Sequence, residues 1–384
     1  MKLTFTLACV IGVLTGCAHA PPSAQVIPSA ATYAPPKEVG ALLPSAPEYE
    51  RIASSKDFIR DPRLDEAALL VFDAYSESRA HLPARYLKQV LWRLGVVGEF
   101  AGQAGSWVSA GNRTARLDAH LVTFLSERNA EHRLYGFSRG RVDVPGSQVI
   151  LMAKHLVDLE PVPRFPAPNQ TVTVKGVIRH RDESSLTVYY PGDPTPHAVP
   201  VSGGRRFELS WNAPSQPGEH WLQLLAPAPA GTSVDEGKTL LRLRFVVGEE
   251  TFDVSEPPRN AADLRARVIA QLNQRRVQSG LPLLKSSAHA DAIAAEHAAQ
   301  VTNDAAAAPK YSEAGFMPSA TLVLSDKGSS ALGDLIDQLD APSKHVRFLD
   351  KAIDTVAVST LQRGDEWTLV VSGLRATGSD SGGR

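Results

Sequence analysis

Val268-Ile269-Ala270-Gln271-Leu272-Asn273-Gln274-Arg275-Arg276-Val277-Gln278-Ser279-Gly280-Leu281-Pro282-Leu283-Leu284 carries a helical period into a Gly-Leu-Pro turn. Just upstream, Glu256-Pro257-Pro258-Arg259 interrupts the chain and Asn260 stands as a helix cap. Leu264, Val268, Ile269 and Leu272 then share one side of the helix, with Arg265, Arg267, Arg275 and Arg276 elsewhere around it. Downstream come an Ala-rich helix from Ala288 to about Thr302, another from Leu332 to Leu339, and the turn Ala341-Pro342-Ser343-Lys344-His345-Val346-Arg347-Phe348-Leu349. Asp354-Thr355-Val356-Ala357-Val358 and Trp367 to Ser372, joined by Gln362-Arg363-Gly364-Asp365, read as two paired strands that close the unit.

This succession resembles the bacterial CAP domains, also called SCP-like. Those open on a helix ending in an Asn-x-x-Arg run, then a Gly-Leu-Pro-x-Leu turn and an Ala-rich helix. Later they carry a Ser-Pro-x-His-Arg-x-x-Leu turn, which Ala341 to Leu349 is similar to. The resemblance covers the last third of the chain and implies an α-β-α sandwich over residues 258–376. In complete members a cleft gathers two histidines and two glutamates, sometimes around a divalent metal. His345 matches the histidine of the late turn. Asn303 to Ser312 contains no second one, and Ala320 to Ser325 has no glutamate where the family's Gly-Glu-Asn segment falls. The expectation is therefore no catalytic set, no metal site and no cofactor, with His345, His297 and Glu296 as candidate cleft-binding residues. His297 shares a helical face with Ala290, Ile293, Ala294 and Val301 and reads as a partly buried structural residue. Glu296 reads as solvated, and His345 either binds in the cleft or caps the helix before it.

At the other end, Met1-Lys2 and the apolar Leu3 to Leu14 form a signal peptide over residues 1–16, too short to span a bilayer. Leu14-Thr15-Gly16-Cys17 resembles the bacterial lipobox. That resemblance implies a lipoprotein with diacylglycerol, and so palmitate-type acyl chains, on Cys17. It also implies Ala18 as the residue that sorts the protein to the outer membrane of a Gram-negative cell. Residues 17–49, rich in Ala, Pro and Ser, read as a flexible tether, and 377–384 as a disordered tail. Past Cys17 there is no cysteine, so neither a disulfide nor a thiolate metal site is available.

Between these ends lie two more expected domains. Residues 50–160 read as a helical α+β domain: Asp61-Pro62 starts a helix with Leu64, Ala68, Val71 and Tyr75 on one face. A second helix follows with Leu87, Val90, Leu91 and Leu94, a third with Leu117, Leu121, Phe124 and Leu125, then strands around Tyr135 and Gln148 to Ala153. His81, His120, Glu131 and His132 have no ligand-like spacing. Tyr135 to Gly140 beside Val356 to Leu361 suggests a divergent CAP-like repeat. Residues 161–255 switch to a period of two in Val172/Val174/Ile178, Leu186/Val188/Tyr190, Phe207/Leu209/Trp211 and Leu241/Leu243/Phe245/Val247, the pattern of an immunoglobulin-like β-sandwich. Trp211 and Trp221 read as core or edge aromatics. Asn112-Arg113-Thr114 and Asn169-Gln170-Thr171 match glycosylation sequons by chance.

With 43% hydrophobic and 21% charged residues and a formal net charge of −1, the chain has the composition of a globular protein and no general attraction for nucleic acid. The expected function is non-catalytic: a lipid-anchored cell-envelope protein that binds an envelope polymer, a lipid or a partner protein. Two alternatives stand beside it. One is an envelope hydrolase with acid/base groups at non-matching positions such as Glu296, Glu313 or Asp326; the other is a structural spacer or scaffold.

Overall fold

The computed structural model describes residues 29–34, 58–78, 84–106, 134–139, 148–179, 183, 185–191, 193, 195–228, 237–250, 258–301, 311–327 and 331–376. The signal peptide, Cys17, most of the expected tether, His81, His120, Glu131, His132, the Asn112 sequon, the third expected helix and the tail lie outside these residues. Within the stretch read as a tether, residues 29–34 pack against the folded body. Strand β1 (Thr32–Tyr33) pairs with a strand of the linker, and Tyr33 is fully buried. Burying this ring offsets part of the entropy lost in ordering the segment, and hydrogen bonds from Arg164 to Ser29 and Ala30 offset more.

The first core is built from β2 (Ile59–Arg60), α1 (Pro62–Ser78), α2 (Ala84–Arg93), β3 (Glu99–Ser106), β4 (Leu134–Arg139) and β5 (Gln148–Lys154). Asp61 caps α1 through its carboxylate, which accepts from the Arg63 amide at 2.9 Å, with Pro62 at the first helical position. Leu64, Ala68 and Val71 are buried against Leu87, Val90 and Leu91 of α2 and against Leu134, Val149 and Leu151 of the sheet, as the periodicity requires. The sheet order is β2-β4-β5-β3, with β2 parallel to β4 and the other pairs antiparallel. Strand β3 carries no strand signal of its own, because Glu-Phe-Ala-Gly-Gln-Ala-Gly-Ser has no β-branched residue and no alternation.

The second core fills the space between two antiparallel sheets. It is built from β6 (Val157–Leu159), β7 (Val162–Pro163), the partner of β1, β8 (Thr171–Ile178), β9 (Ser185–Tyr189), β10 (Pro196–Pro200), β11 (Arg206–Asn212), β12 (Gly218–Leu225) and β13 (Thr239–Val247). The sheets are β10-β9-β12-β13 and β11-β8-β6. Val172, Val174, Ile178, Phe207, Leu209 and Trp211 point inward while Thr171, Thr173, Arg206 and Glu208 face solvent. Strand β12 breaks this rule, since His220 to Leu225 are all buried. Its outer face is covered by the cores on either side.

The third core comprises α3 (Ala261–Gln278), β14 (Lys285–Ser286), α4 (Ala288–Val301), β15 (Phe316–Lys327), α5 (Ala331–Leu339), the single turn α6 (Pro342–His345), β16 (Thr355–Arg363) and β17 (Glu366–Ala376). Helices α3 and α5 cover the sheet face of Val356, Val358, Leu369 and Val371, and α4 the face of Ala357, Val370 and Leu374. Three layers result. The strand order β14-β16-β17-β15, with β14 parallel to β16 and the rest antiparallel, reproduces that of the first core. In both, the short parallel strand pairs with the first two residues of its neighbour, and a bulge interrupts the early pairing of the outer strand, at Phe100/Gly102 and Pro318/Ala320. Among the described residues no helix is long and apolar enough to cross a membrane.

Candidate functional site

The Asn-x-x-Arg run and the Gly-Leu-Pro turn are two halves of one hydrogen-bonded device. Gly280, at φ +70°, ends α3: its amide donates to the Val277 carbonyl at 3.0 Å and that of Leu281 to the Arg276 carbonyl at 2.8 Å, a Schellman closure. Asn273 then accepts from the Leu284 amide at 2.7 Å. Arg276 is fully buried and donates to four backbone carbonyls: Pro282 at 2.7 Å, Phe348 at 2.8 Å, and Asp350 and Ile353 both at 2.9 Å. It thereby fixes the late turn that carries His345. Asp291 of α4 completes the open edge of β16, accepting from the Val358 amide at 2.9 Å while pairing with Arg265.

His345 does not face His297. Helix α4, with His297, covers one side of the sheet; α6, with His345, lies on the side of α3 and α5, against β12 of the second core. His345 is 9% exposed, and its Nδ1 has no hydrogen-bond partner among the described residues. Burial, then the nearby Arg275 and Arg242 charges, push the imidazole down to about 3, against the opposing pull of Asp340 and the Leu339 carbonyl. The ring is thus neutral throughout the physiological range. Burial also lowers His297, whose Nδ1 has no described partner, whereas Glu296 is exposed on the same helix. Asp326 on β15 accepts from Gln338 at 2.9 Å, and the Glu313 side chain lies outside the described residues. No group of three or more His, Cys, Asp or Glu among the described residues is placed to hold a metal ion.

The depressed His345 pKa has a measurable consequence. Its value in the unfolded chain is 6.5, so between 6.5 and about 3 the unfolded state binds the extra proton. The contribution is fully present above the unfolded value and falls as pH drops through this window, by about 1.4 kcal/mol per pH unit. His345→Gln should flatten the decline in melting temperature between pH 6.5 and pH 4; an unchanged slope would contradict the burial.

What periodicity missed is the groove in front of His345. Three neighbouring pockets with some lining residues in common make it up. One, of about 490 Å³, lies between Tyr190, Asn212 and His220 of the second core and Arg275, Gln278 and His345 of the third. The largest, about 760 Å³, continues along α3 past Gln271 and Gln274 to Gln89 of the first core, and shares Glu219, Trp221, Arg275 and Gln278 with the one before it. The last, about 380 Å³, shares Lys88, Trp92, Arg242 and Asp337 with the largest. Contacts between the cores frame these walls. Lys88 pairs with Asp337 at 3.0 Å, Arg242 lies 4.2 Å from the Trp221 ring centre, Trp92 meets Trp221 edge-on at 4.6 Å, and Gln223 accepts from the Ser343 amide at 2.8 Å. No local pattern in the sequence marks it, because its walls come from different cores.

No family profile and no curated protein matches the chain. Among solved structures it is similar to a cysteine-rich secretory protein from Staphylococcus aureus subsp. aureus Mu50, at 10% identity and TM-score 0.24 over 56% of this chain and 83% of that one. It is also similar to an extracellular protein containing a SCP domain from Bacillus anthracis str. Ames, at 10% identity and TM-score 0.24 over 51% of this chain and 88% of that one.

Proposed function

We propose that this chain is a cell-envelope lipoprotein, anchored by lipid on Cys17 at the outer membrane, that binds an envelope ligand without transforming it. In this reading residues 258–376 are a CAP-like domain lacking its family's catalytic and metal-holding set. Residues 161–255 are an immunoglobulin-like sandwich, and 50–160 a divergent CAP-like repeat, supported by the shared strand order of the first and third sheets. One observation carries the choice of binding over catalysis: the imidazole that matches the family's late histidine is buried, flanked by arginines and held neutral down to about pH 3. An imidazole this weakly basic is poorly suited to take up a proton at neutral pH. The residue still lines the groove, where its removal would reshape the wall that a ligand meets.

Capture from envelope extract with the full chain and with His345→Ala tests this. Recovery of a component by the first and its loss with the second is the expected result; equal recovery of every component by both proteins would remove the groove from consideration. A scaffold role has its own support, because the outer face of β12 is enclosed between the other two cores. A chain that recovers nothing yet keeps its three cores locked together would favour it.

A further inference from the structure

We propose that residues 29–34 are a clasp that shortens the membrane tether, holding the body near the bilayer with the face that Ser29 leaves turned toward it. This rests on the reading of Cys17 as the lipid-bearing residue and adds what the segment after it does. The six residues are gripped from two sides. On the side of the first core, the Ala30 amide donates to the Arg93 carbonyl at 2.7 Å, and the Ala34 carbonyl accepts from Arg63 Nη1 at 3.0 Å. Arg63 is itself fixed by the Asp61 carboxylate. On the side of the second core, the Arg164 amide donates to the Ala31 carbonyl at 2.9 Å, and its guanidinium to Ser29 Oγ and the Ala30 carbonyl. The Tyr33 ring meets Phe245 edge-on at 6.4 Å, and its hydroxyl donates to the Arg244 carbonyl while accepting from the Arg244 amide. Glu250, among Arg93, Arg164 and Arg244, accepts from the Ser29 hydroxyl at 2.7 Å.

The body is shaped to receive this segment. A side chain at Gly95 would meet the Thr32 carbonyl oxygen at 2.5 Å, and the φ of +71° there suits glycine. Ser-Ala-Ala-Thr-Tyr-Ala has one large side chain, so the grip is main-chain hydrogen bonding along β7 plus a single aromatic anchor. The consequence is one of reach. Ala18 to Ser29 is twelve residues, which span at most about 43 Å when fully extended. Were the chain held only from Phe58 onward, the forty-one residues from Ala18 could span about 140 Å. A folded unit of this size is about 50 Å across. The clasped reach is shorter than that width, so the far side of the body cannot be turned to the membrane. The unclasped reach would let any side face it.

The test measures the height of the acylated full chain above a supported bilayer by neutron reflectometry, with an insert of about 24 Gly/Ser residues at one of two places. Between Pro22 and Ser23 the insert lengthens the stretch from lipid to clasp and should raise the body by on the order of 10 Å. Between Pro44 and Ser45, beyond the clasp, the same insert should leave the height unchanged. Tyr33→Ser, which removes the anchor, should make the second insert raise the body too. The pair of inserts leaves the folded body unaltered, so the result stands whether or not the Tyr33 variant folds. Equal elevation by both inserts with Tyr33 in place would overturn the clasp, and so would no elevation by either. Incorporation of labelled palmitate, lost in Cys17→Ser, reports on the anchoring reading by itself. Its absence would end both readings, whereas incorporation with equal elevation would end only the clasp.

Discussion

Replacing Arg276 by methionine should destabilise the third core by about 3–5 kcal/mol, the range for removing one member of a buried, fully engaged polar cluster. Methionine fills most of the volume, so the loss reports hydrogen bonding more than a cavity. The variant would strand the Pro282, Phe348, Asp350 and Ile353 carbonyls, all of which now accept from one guanidinium. Lysine is not an adequate substitute: its ammonium has three donors on one atom and cannot reach four carbonyls spread around a planar fork. Arg276→Lys should recover less than half of the loss. Thermal unfolding followed by circular dichroism, with limited proteolysis between Gly280 and Asp354, would measure it. A change under about 1 kcal/mol would show that the turn closes without this side chain.

The second large effect is expected where the segment from Ser29 meets the body. Arg164 is fully buried and donates to Ser29 Oγ at 3.0 Å, to the Ala30 and Arg93 carbonyls at 2.7 and 3.0 Å, and to Glu250 Oε1 at 2.8 Å. Arg93 approaches the other Glu250 oxygen at 3.3 Å. Burial alone would raise the Glu250 carboxyl, but the Ser29 hydroxyl and the Arg164, Arg244 and Arg93 charges outweigh it and hold it below its usual 4.5. Arg164→Met should cost about 3–5 kcal/mol at neutral pH, because the carboxylate stays buried with weaker partners.

A pH series separates this from simple loss of packing. A carboxylate with a depressed folded-state pKa stabilises fully above its unfolded value and loses that contribution as pH falls through the folded one. The gap between wild type and Arg164→Met should therefore narrow below pH 4.5, the ordinary value for Glu250. Residues 29–34 should meanwhile become accessible to protease, since Arg164 and the Tyr33 hydroxyl bond to the Arg244 carbonyl at 2.8 Å hold them down. A constant gap from pH 7 to pH 3 would mean that Glu250 is not the partner that matters.

Which segments become helix or strand was largely written in local order. Asn260 accepts from the Asp263 amide at 2.9 Å as a cap should, the alternation in β8 and β11 separates inside from outside, and Leu64, Ala68 and Val71 bury the expected face of α1. These follow from the repeat of a single element against water, which neighbouring residues suffice to encode. The partners of the candidate site residues were not so encoded. His345 and His297 sit 48 positions apart on segments that look ready to converge, yet the sheet passes between them. Nothing near Tyr33 in sequence is apolar enough to hold it; the strand that does, β13, lies more than 200 residues away. The groove depends on Gln89, Trp221 and Gln274 meeting from three cores. Periodicity thus determined which face of each element is buried, while only the tertiary structure decided what each face is buried against. The physical reason is that burial is a property of one segment in water, whereas a site is a property of distances between segments that share no local pattern.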